Sequence, residues 1–164
     1  MRENIKGNDN HFDRLLKISL ILGIIVVSGF VIYYILTPEP GFITYSILNE
    51  NQEAGNYQTE ASVNETISFF LTVGNGLNRE FIFGFKIKKG NNNTNLSSNG
   101  SNGTLYQTIG NFSLSLNEVQ IYGEYNISFT DVGDNQIIIA ELWQIKHEIE
   151  EYFNIMYLWV NITN

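Results

Sequence analysis

The residues best able to do chemistry in this chain are few, and their spacing argues against most of the reactions they suggest. His147-Glu148-Ile149-Glu150-Glu151 begins as a zinc-protease helix begins, but Glu151 stands where the second histidine must be. One imidazole does not replace two ligands at i and i+4. The other histidine, His11, lies on the far side of a long apolar run, so the two cannot share a site. Residues 144–151 therefore read as a solvated charge run, either a turn of helix or a hairpin loop. Asp131 and Asp134, in the turn 131–135, offer carboxylate oxygens to calcium, but the twelve-residue ligand pattern is missing. Asp and Gly also serve such turns for backbone reasons alone. Glu141, Glu148, Glu150 and Glu151 could in principle pair as glycosidase carboxylates do, yet no pattern prefers that to surface charge. No Gly-x-Ser-x-Gly, phosphate-binding loop or dinucleotide fingerprint occurs. The expectation is no catalytic residue, no metal site and no cofactor.

A different chemistry is written many times over. Asn-x-Ser/Thr occurs at Asn64, Asn92, Asn95, Asn99, Asn102, Asn111, Asn126 and Asn161. With nineteen asparagines beyond residue 36, and Ser or Thr at about one position in seven there, chance gives about two or three. One such triplet is weak evidence; eight, all on one side of the apolar run, predict Asn-linked glycans.

That run is residues 18–36, ISLILGIIVVSGFVIYYIL, nineteen residues without a charge. At 1.5 Å per residue it reaches about 28 Å, close to the ~30 Å of a bilayer's hydrocarbon core. Its thirteen Leu, Ile, Val and Phe residues favour insertion by about 4 to 8 kcal/mol. Tyr33 and Tyr34 near its end suit a headgroup layer. A cleaved signal peptide would be shorter and followed by a small-residue site, whereas Thr37-Pro38-Glu39-Pro40 follows here. Arg14 and Lys17 abut its start, so the positive-inside rule puts the N-terminus in the cytoplasm. The expected organisation is a cytoplasmic tail over 1–17, a transmembrane helix over 18–36, a linker over 37–41 and an extracellular domain over 42–164.

The charge of −8 is uneven. Residues 1–17 carry four basic and three acidic side chains, and residues 37–164 carry five basic and fourteen acidic, a net of −9. A phosphate backbone would be repelled by the outer part, which argues against nucleic acid. With no cysteine, disulfides are impossible. About 125 residues remain for a fold that can hold a core without them, as suits a prokaryotic surface better than most small secreted eukaryotic domains.

Beyond Pro40 the apolar period becomes two. Phe81, Phe83, Phe85 and Ile87 alternate with Ile82, Gly84, Lys86 and Lys88; Ile67, Phe69, Leu71 and Val73 do the same, as do Tyr125, Ile127 and Phe129. Further runs cover 42–48, 105–116, 136–143 and 152–162. Seven or eight short strands with Gly- and Asn-bearing turns predict an all-β, immunoglobulin-like antiparallel β-sandwich. Residues 89–104 hold an Asn/Ser/Gly stretch with one apolar side chain in positions 91–104. It is expected to bury nothing and to form a flexible loop. Parity adds detail: with Phe112, Leu114 and Leu116 inward Asn111 faces out, and with Ile127 inward Asn126 does. With Leu158, Val160 and Ile162 inward, Asn161 faces out together with Tyr157 and Trp159, an aromatic pair of the kind that anchors partners. The alternatives are that Trp159 turns inward, as many sandwich tryptophans do, or packs under a glycan on Asn161.

Several short segments then look familiar. Residues 42–48 (FITYSIL), Ala54-Gly55-Asn56-Tyr57, a strand reaching Val73-Gly74-Asn75, and Asn78-Arg79-Glu80 resemble the opening of an archaeal domain, and Tyr157-Leu158-Trp159-Val160-Asn161 resembles its close. The family is known as domain of unknown function 1616. The resemblance spans roughly residues 42–162. Many members have several membrane helices where this chain has one, and an Asn-His-Glu cluster where it has Asn78-Arg79-Glu80. The resemblance implies an archaeal surface domain and no mechanism. The expected role is a non-catalytic, glycosylated envelope protein that binds a surface-layer or membrane protein. The alternatives are a pilin-like filament subunit, against which Asp13, Arg14 and Lys17 separate Lys6-Gly7 from the apolar run, and an enzyme with an unrecognised site.

Overall fold

A computed structural model of the chain describes residues 6–36 and 41–164. The first five residues and residues 37–40, most of the expected linker, lie outside the described residues. Two units are present, Met1–Pro40 and Gly41–Asn164. In the first, α1 spans Lys6–Leu36 and so begins within the stretch read as a tail. Leu15, Leu16 and Lys17 are good helix formers and extend the apolar helix backward. Its segment His11–Tyr33 is long and apolar enough to cross a membrane. Large apolar side chains stand exposed along it from Leu15 to Leu36, whereas a water-facing helix would carry a polar stripe.

The second unit is built from ten strands: β1 Ile43–Leu48, β2 Glu60–Ser62, β3 Ile67–Asn75, β4 Phe81–Gly90, β5 Leu96–Ser97, β6 Gly100–Ser101, β7 Thr104–Leu114, β8 Val119–Ile127, β9 Gly133–Lys146 and β10 Ile149–Thr163. One sheet has the order β1-β3-β8, the other β2-β10-β9-β4-β7, and β5-β6 is a small ribbon of its own. In immunoglobulin terms β1-β3-β8 are strands A-B-E and β10-β9-β4 are G-F-C, so the fold is an immunoglobulin-like β-sandwich. It departs from the expected all-antiparallel arrangement in one place. After β1 the chain crosses to the edge of the other sheet, where β2 runs parallel to β10, with Glu60–Ser62 beside Asn161–Thr163.

The period-two runs do what they predict. Phe81, Phe83, Phe85 and Ile87 of β4 are buried against Ile67, Phe69, Leu71 and Val73 of β3 in one core cluster. Phe112 and Tyr122 close the cluster at a centroid distance of 4.5 Å, and Phe83 lies edge-on to Tyr122 at 5.6 Å. Each buried Phe contributes roughly 1.5–3 kcal/mol of apolar transfer. Strand β9 is different: Ile137 through Leu142 are all buried, because the centre of this sheet is covered on both faces.

Two expectations are corrected, at Leu116 and at residues 89–104, and one left open, at residues 144–151, is decided. Leu116 is not an inward residue: β7 ends at Leu114, and Leu116 is exposed beyond it. Residues 144–151 are a hairpin, not a helix, with β9 and β10 paired up to Lys146 and Ile149 across His147 and Glu148. Residues 89–104 are not a bare loop: Lys89 and Gly90 finish β4, and the rest folds into the β5-β6 ribbon over the outer face of the five-stranded sheet. Its apolar poverty misled the reading, since glycine and serine, not large side chains, make the contact. A Cβ on Gly103 would stand 2.9 Å from the Ile139 side chain, and one on Gly100 3.2 Å from Glu141 Oε1.

Candidate functional site

The outer face of the five-stranded sheet carries a connected set of polar and aromatic groups. Residues 137, 139, 141, 143 and 145 of β9 point outward by parity, opposite to Ile138, Ala140 and Leu142 in the core. Glu141 sits among them with no exposed surface. Its register partners are Lys86 on β4 and Ile155 on β10. Lys88 Nζ donates to Glu141 Oε1 at 2.8 Å and to the Ser101 carbonyl, also at 2.8 Å. The Ser101 N–H and hydroxyl donate to the same Oε1 at 2.6 and 2.8 Å, and Trp143 Nε1 donates to Oε2 at 3.0 Å. Burial alone would raise the carboxyl, but the hydrogen bonds from Lys88, Ser101 and Trp143 outweigh it and hold it below the usual carboxylate range. An ion pair out of water survives when its remaining hydrogen-bonding sites are filled, as they are here. The arrangement is a clasp: one carboxylate binds β9, β4 and the β5-β6 ribbon together.

Beside the clasp the aromatic side chains line up. Lys86 Nζ lies 3.8 Å over the Trp143 ring and pairs with Glu150 at 2.5 Å, and Trp143 meets Tyr152 edge-on at 5.8 Å. Farther along β10, Tyr157 and Trp159 pair with Ile139 and Ile137 and cover them, yet remain 46% and 44% exposed. The two rings stand at 87° with centroids 6.3 Å apart. The outward orientation read from parity is what the structure has.

The sequon asparagines are surface residues. Asn64, Asn92, Asn95, Asn99, Asn102, Asn111 and Asn126 are exposed, and Asn161 is half-buried, its Oδ1 accepting from the Asn135 N–H at 3.0 Å. Four of the eight ride on the clasped ribbon, Asn126 lies on the three-stranded sheet with its Oδ1 accepting from Ser68 Oγ at 2.7 Å, and Asn111 lies on the β7 edge. His147 is at the tip of the β9-β10 hairpin, remote in register from Asp131 and Asp134 before and at the start of β9. Thr130 Oγ1 donates to Asp131 Oδ2 at 3.0 Å. Among the described residues no group of three or more His, Cys, Asp or Glu is arranged to hold a metal ion. Sequence reasoning named Glu141 only among possible glycosidase carboxylates and missed its pairing with Lys88 and Ser101. The available signal was a lone Glu inside the otherwise apolar run Ile137 to Leu142, where a strand covered on both faces must give a carboxylate a partner.

No family model matches this sequence, and no curated protein matches it either. Among solved structures, the CARDB domain of a Pyrococcus furiosus protein, determined in complex with di-metal ions, is similar over 78% of this chain and 93% of that domain, at 16% identity and a TM-score of 0.48. A beta-glucosidase from Listeria innocua is similar over 74% of this chain but 16% of its own length, at 6% identity and a TM-score of 0.40. The same enzyme in complex with glucose gives 75%, 16%, 6% and 0.40. At such identities and TM-scores below 0.5 these likenesses carry no functional argument, and the fold rests on the chain's own strand order.

Proposed function

We propose that this chain is a non-catalytic binding module of a cell envelope, anchored by α1 with its N-terminus in the cytoplasm and carrying Asn-linked glycans on an extracellular sandwich. The observation that carries the reading is the Tyr157–Trp159 pair. Two large aromatic side chains stand about half exposed on the outer face of β10, which pairs with β9 beside them and with β2 only at Asn161–Thr163. Rigid, rimmed aromatics of this kind dominate protein interfaces, typically costing 2 kcal/mol or more on truncation. The partner is a surface-layer protein or a subunit of a membrane complex. The charge-free segment and the basic residues before it support the anchor, and the exposure of seven sequon asparagines supports the glycans.

A second reading of Trp159 has its own support. Trp159 and Asn161 share one face of β10 two residues apart, roughly 7 Å, so a sugar on Asn161 would reach the indole. Trp159→Ala and Asn161→Gln separate the two. Affinity purification in mild detergent from the native host should lose a defined co-purifying protein with Trp159→Ala and keep it with Asn161→Gln. The melting temperature should fall by no more than a few degrees in either variant. If both variants retain the partner, the Tyr157–Trp159 face is not the interface.

A further inference from the structure

At the end of the sandwich where β4 finishes and β7 and β9 begin, a cleft of about 410 Å³ opens between the β4-β5 connection and the β8-β9 loop. That volume is within the ~300–1,000 Å³ of small-molecule sites. It is lined by Asn91, Asn93, Thr94, Thr130, Asp131 and the largely buried Phe129. Asn91 Oδ1 accepts from the Asn93 N–H, Thr94 Oγ1 accepts from the Asn91 N–H, and Thr130 Oγ1 donates to Asp131. The side-chain nitrogens of Asn91 and Asn93 and the remaining lone pairs of the Asp131 carboxylate are the donors and acceptors left to meet the hydroxyls of a sugar ring. Lys89 fixes one wall, donating to the Ser128 carbonyl while lying 4.4 Å from the Tyr106 ring centroid and 5.3 Å from that of Phe129.

Both ends of one sequon line the same cleft, Asn102 and Thr104. Asn102 is also held in place. Its Oδ1 accepts from the Asn95 N–H at 2.8 Å, its neighbour Ser101 is clasped to Glu141, and Gly103 approaches the Ile139 side chain too closely for any larger residue. The side-chain nitrogen is the atom a glycan would bond, and it enters no hydrogen bond that the structure records.

We propose that the first sugar of a glycan on Asn102 lies in this cleft instead of projecting into solvent. The idea rests on the glycosylation reading above. A saccharide seated there bridges the β4-β5 connection to the β8-β9 loop and makes the Asn-rich ribbon a fixed platform for the sugars on Asn92, Asn95 and Asn99.

The test uses the full chain in detergent, produced in its native glycosylating host and in a host that adds no Asn-linked sugar. Glycopeptide mass spectrometry reads occupancy at each sequon. Hydrogen exchange then compares residues 91–94 and 129–136 in wild type, Asn102→Gln, Thr104→Ala and Asn99→Gln. In glycosylated material the two variants that delete the Asn102 sequon should each raise exchange at both segments several-fold, with Asn99→Gln neutral. In bare material Thr104→Ala should leave the same segments unchanged relative to bare wild type, and any change in bare Asn102→Gln, which loses the Asn95 hydrogen bond, is subtracted from that in glycosylated material. An occupied Asn102 whose loss leaves exchange unchanged overturns cleft docking while glycosylation stands. Sugar at other sequons but never at Asn102 does the same. Bare polypeptide throughout overturns both readings together.

Discussion

Glu141 shows how much one side chain decides in this fold. Its carboxylate accepts from two elements of the sheet and from the ribbon, and its partner Lys88 is itself largely covered. Removing one member of such a pair strands the other and costs about 3–5 kcal/mol. Glu141→Gln should therefore lower stability by about 3 kcal/mol in chemical denaturation and release the ribbon to proteolysis between Asn95 and Asn102. Replacing both members, Glu141→Leu with Lys88→Met, should cost less than the single change, because no uncompensated charge remains. The pH dependence follows from the lowered carboxyl. Its folded-state value lies below the unfolded one of about 4.3, so the stabilisation is present above that pH and fades as pH falls through the folded value. Wild type should lose stability more steeply than Glu141→Gln below about pH 4. Parallel acid limbs in the two proteins would show that the clasp is not electrostatic.

At the scale of elements, the β9-β10 hairpin is the place where local chemistry and geometry disagree. His147 and Glu148 both have positive φ, 50° and 67°, the backbone of a two-residue type I′ turn that Asn-Gly normally occupies. Side chains with a Cβ are strained there by about 1–2 kcal/mol each. The strands that flank the turn outweigh it, since β9 and β10 are paired along nearly their whole lengths. The double change His147→Asn with Glu148→Gly should raise the melting temperature by a few degrees without altering the partner capture assigned to Trp159. A lower melting temperature would mean that the turn adopts another conformation. The ribbon follows the opposite logic: its glycines are where the backbone must come close, at Gly100, with φ of 107°, and at Gly103.

The whole molecule raises the question of which side of the membrane the sandwich occupies. Basic residues precede the apolar helix, the part that follows it is strongly acidic, and every sequon follows the helix. Protease added to intact cells should remove the sandwich and leave a fragment containing the tail and α1. Survival of the sandwich until lysis, alongside a cleaved surface control, would reverse the orientation. Intact mass of protein from the native host should exceed that of the bare chain, with sugar densest between Asn92 and Asn102.

What the sequence determined by itself was everything carried by period and composition. Alternation placed β3, β4 and the outward faces of Asn126, Tyr157 and Trp159, because a strand's side chains change face at every residue and one buried face sets the register. The uncharged run 18–36 marked α1 as long and apolar enough to span a bilayer. Only the tertiary structure decided what lies far apart in sequence. Glu141, Lys88 and Ser101 are separated by up to 53 positions, and the apolar run around Glu141 says that it needs a partner but not which one. Pairing of β9 with β4 and β10 brings Lys88 to it, and the ribbon's return over that face brings Ser101. The same return turned an apolar-poor stretch into an ordered cover, since close packing there comes from glycine backbone and hydrogen bonds, which leave no hydrophobic period to read.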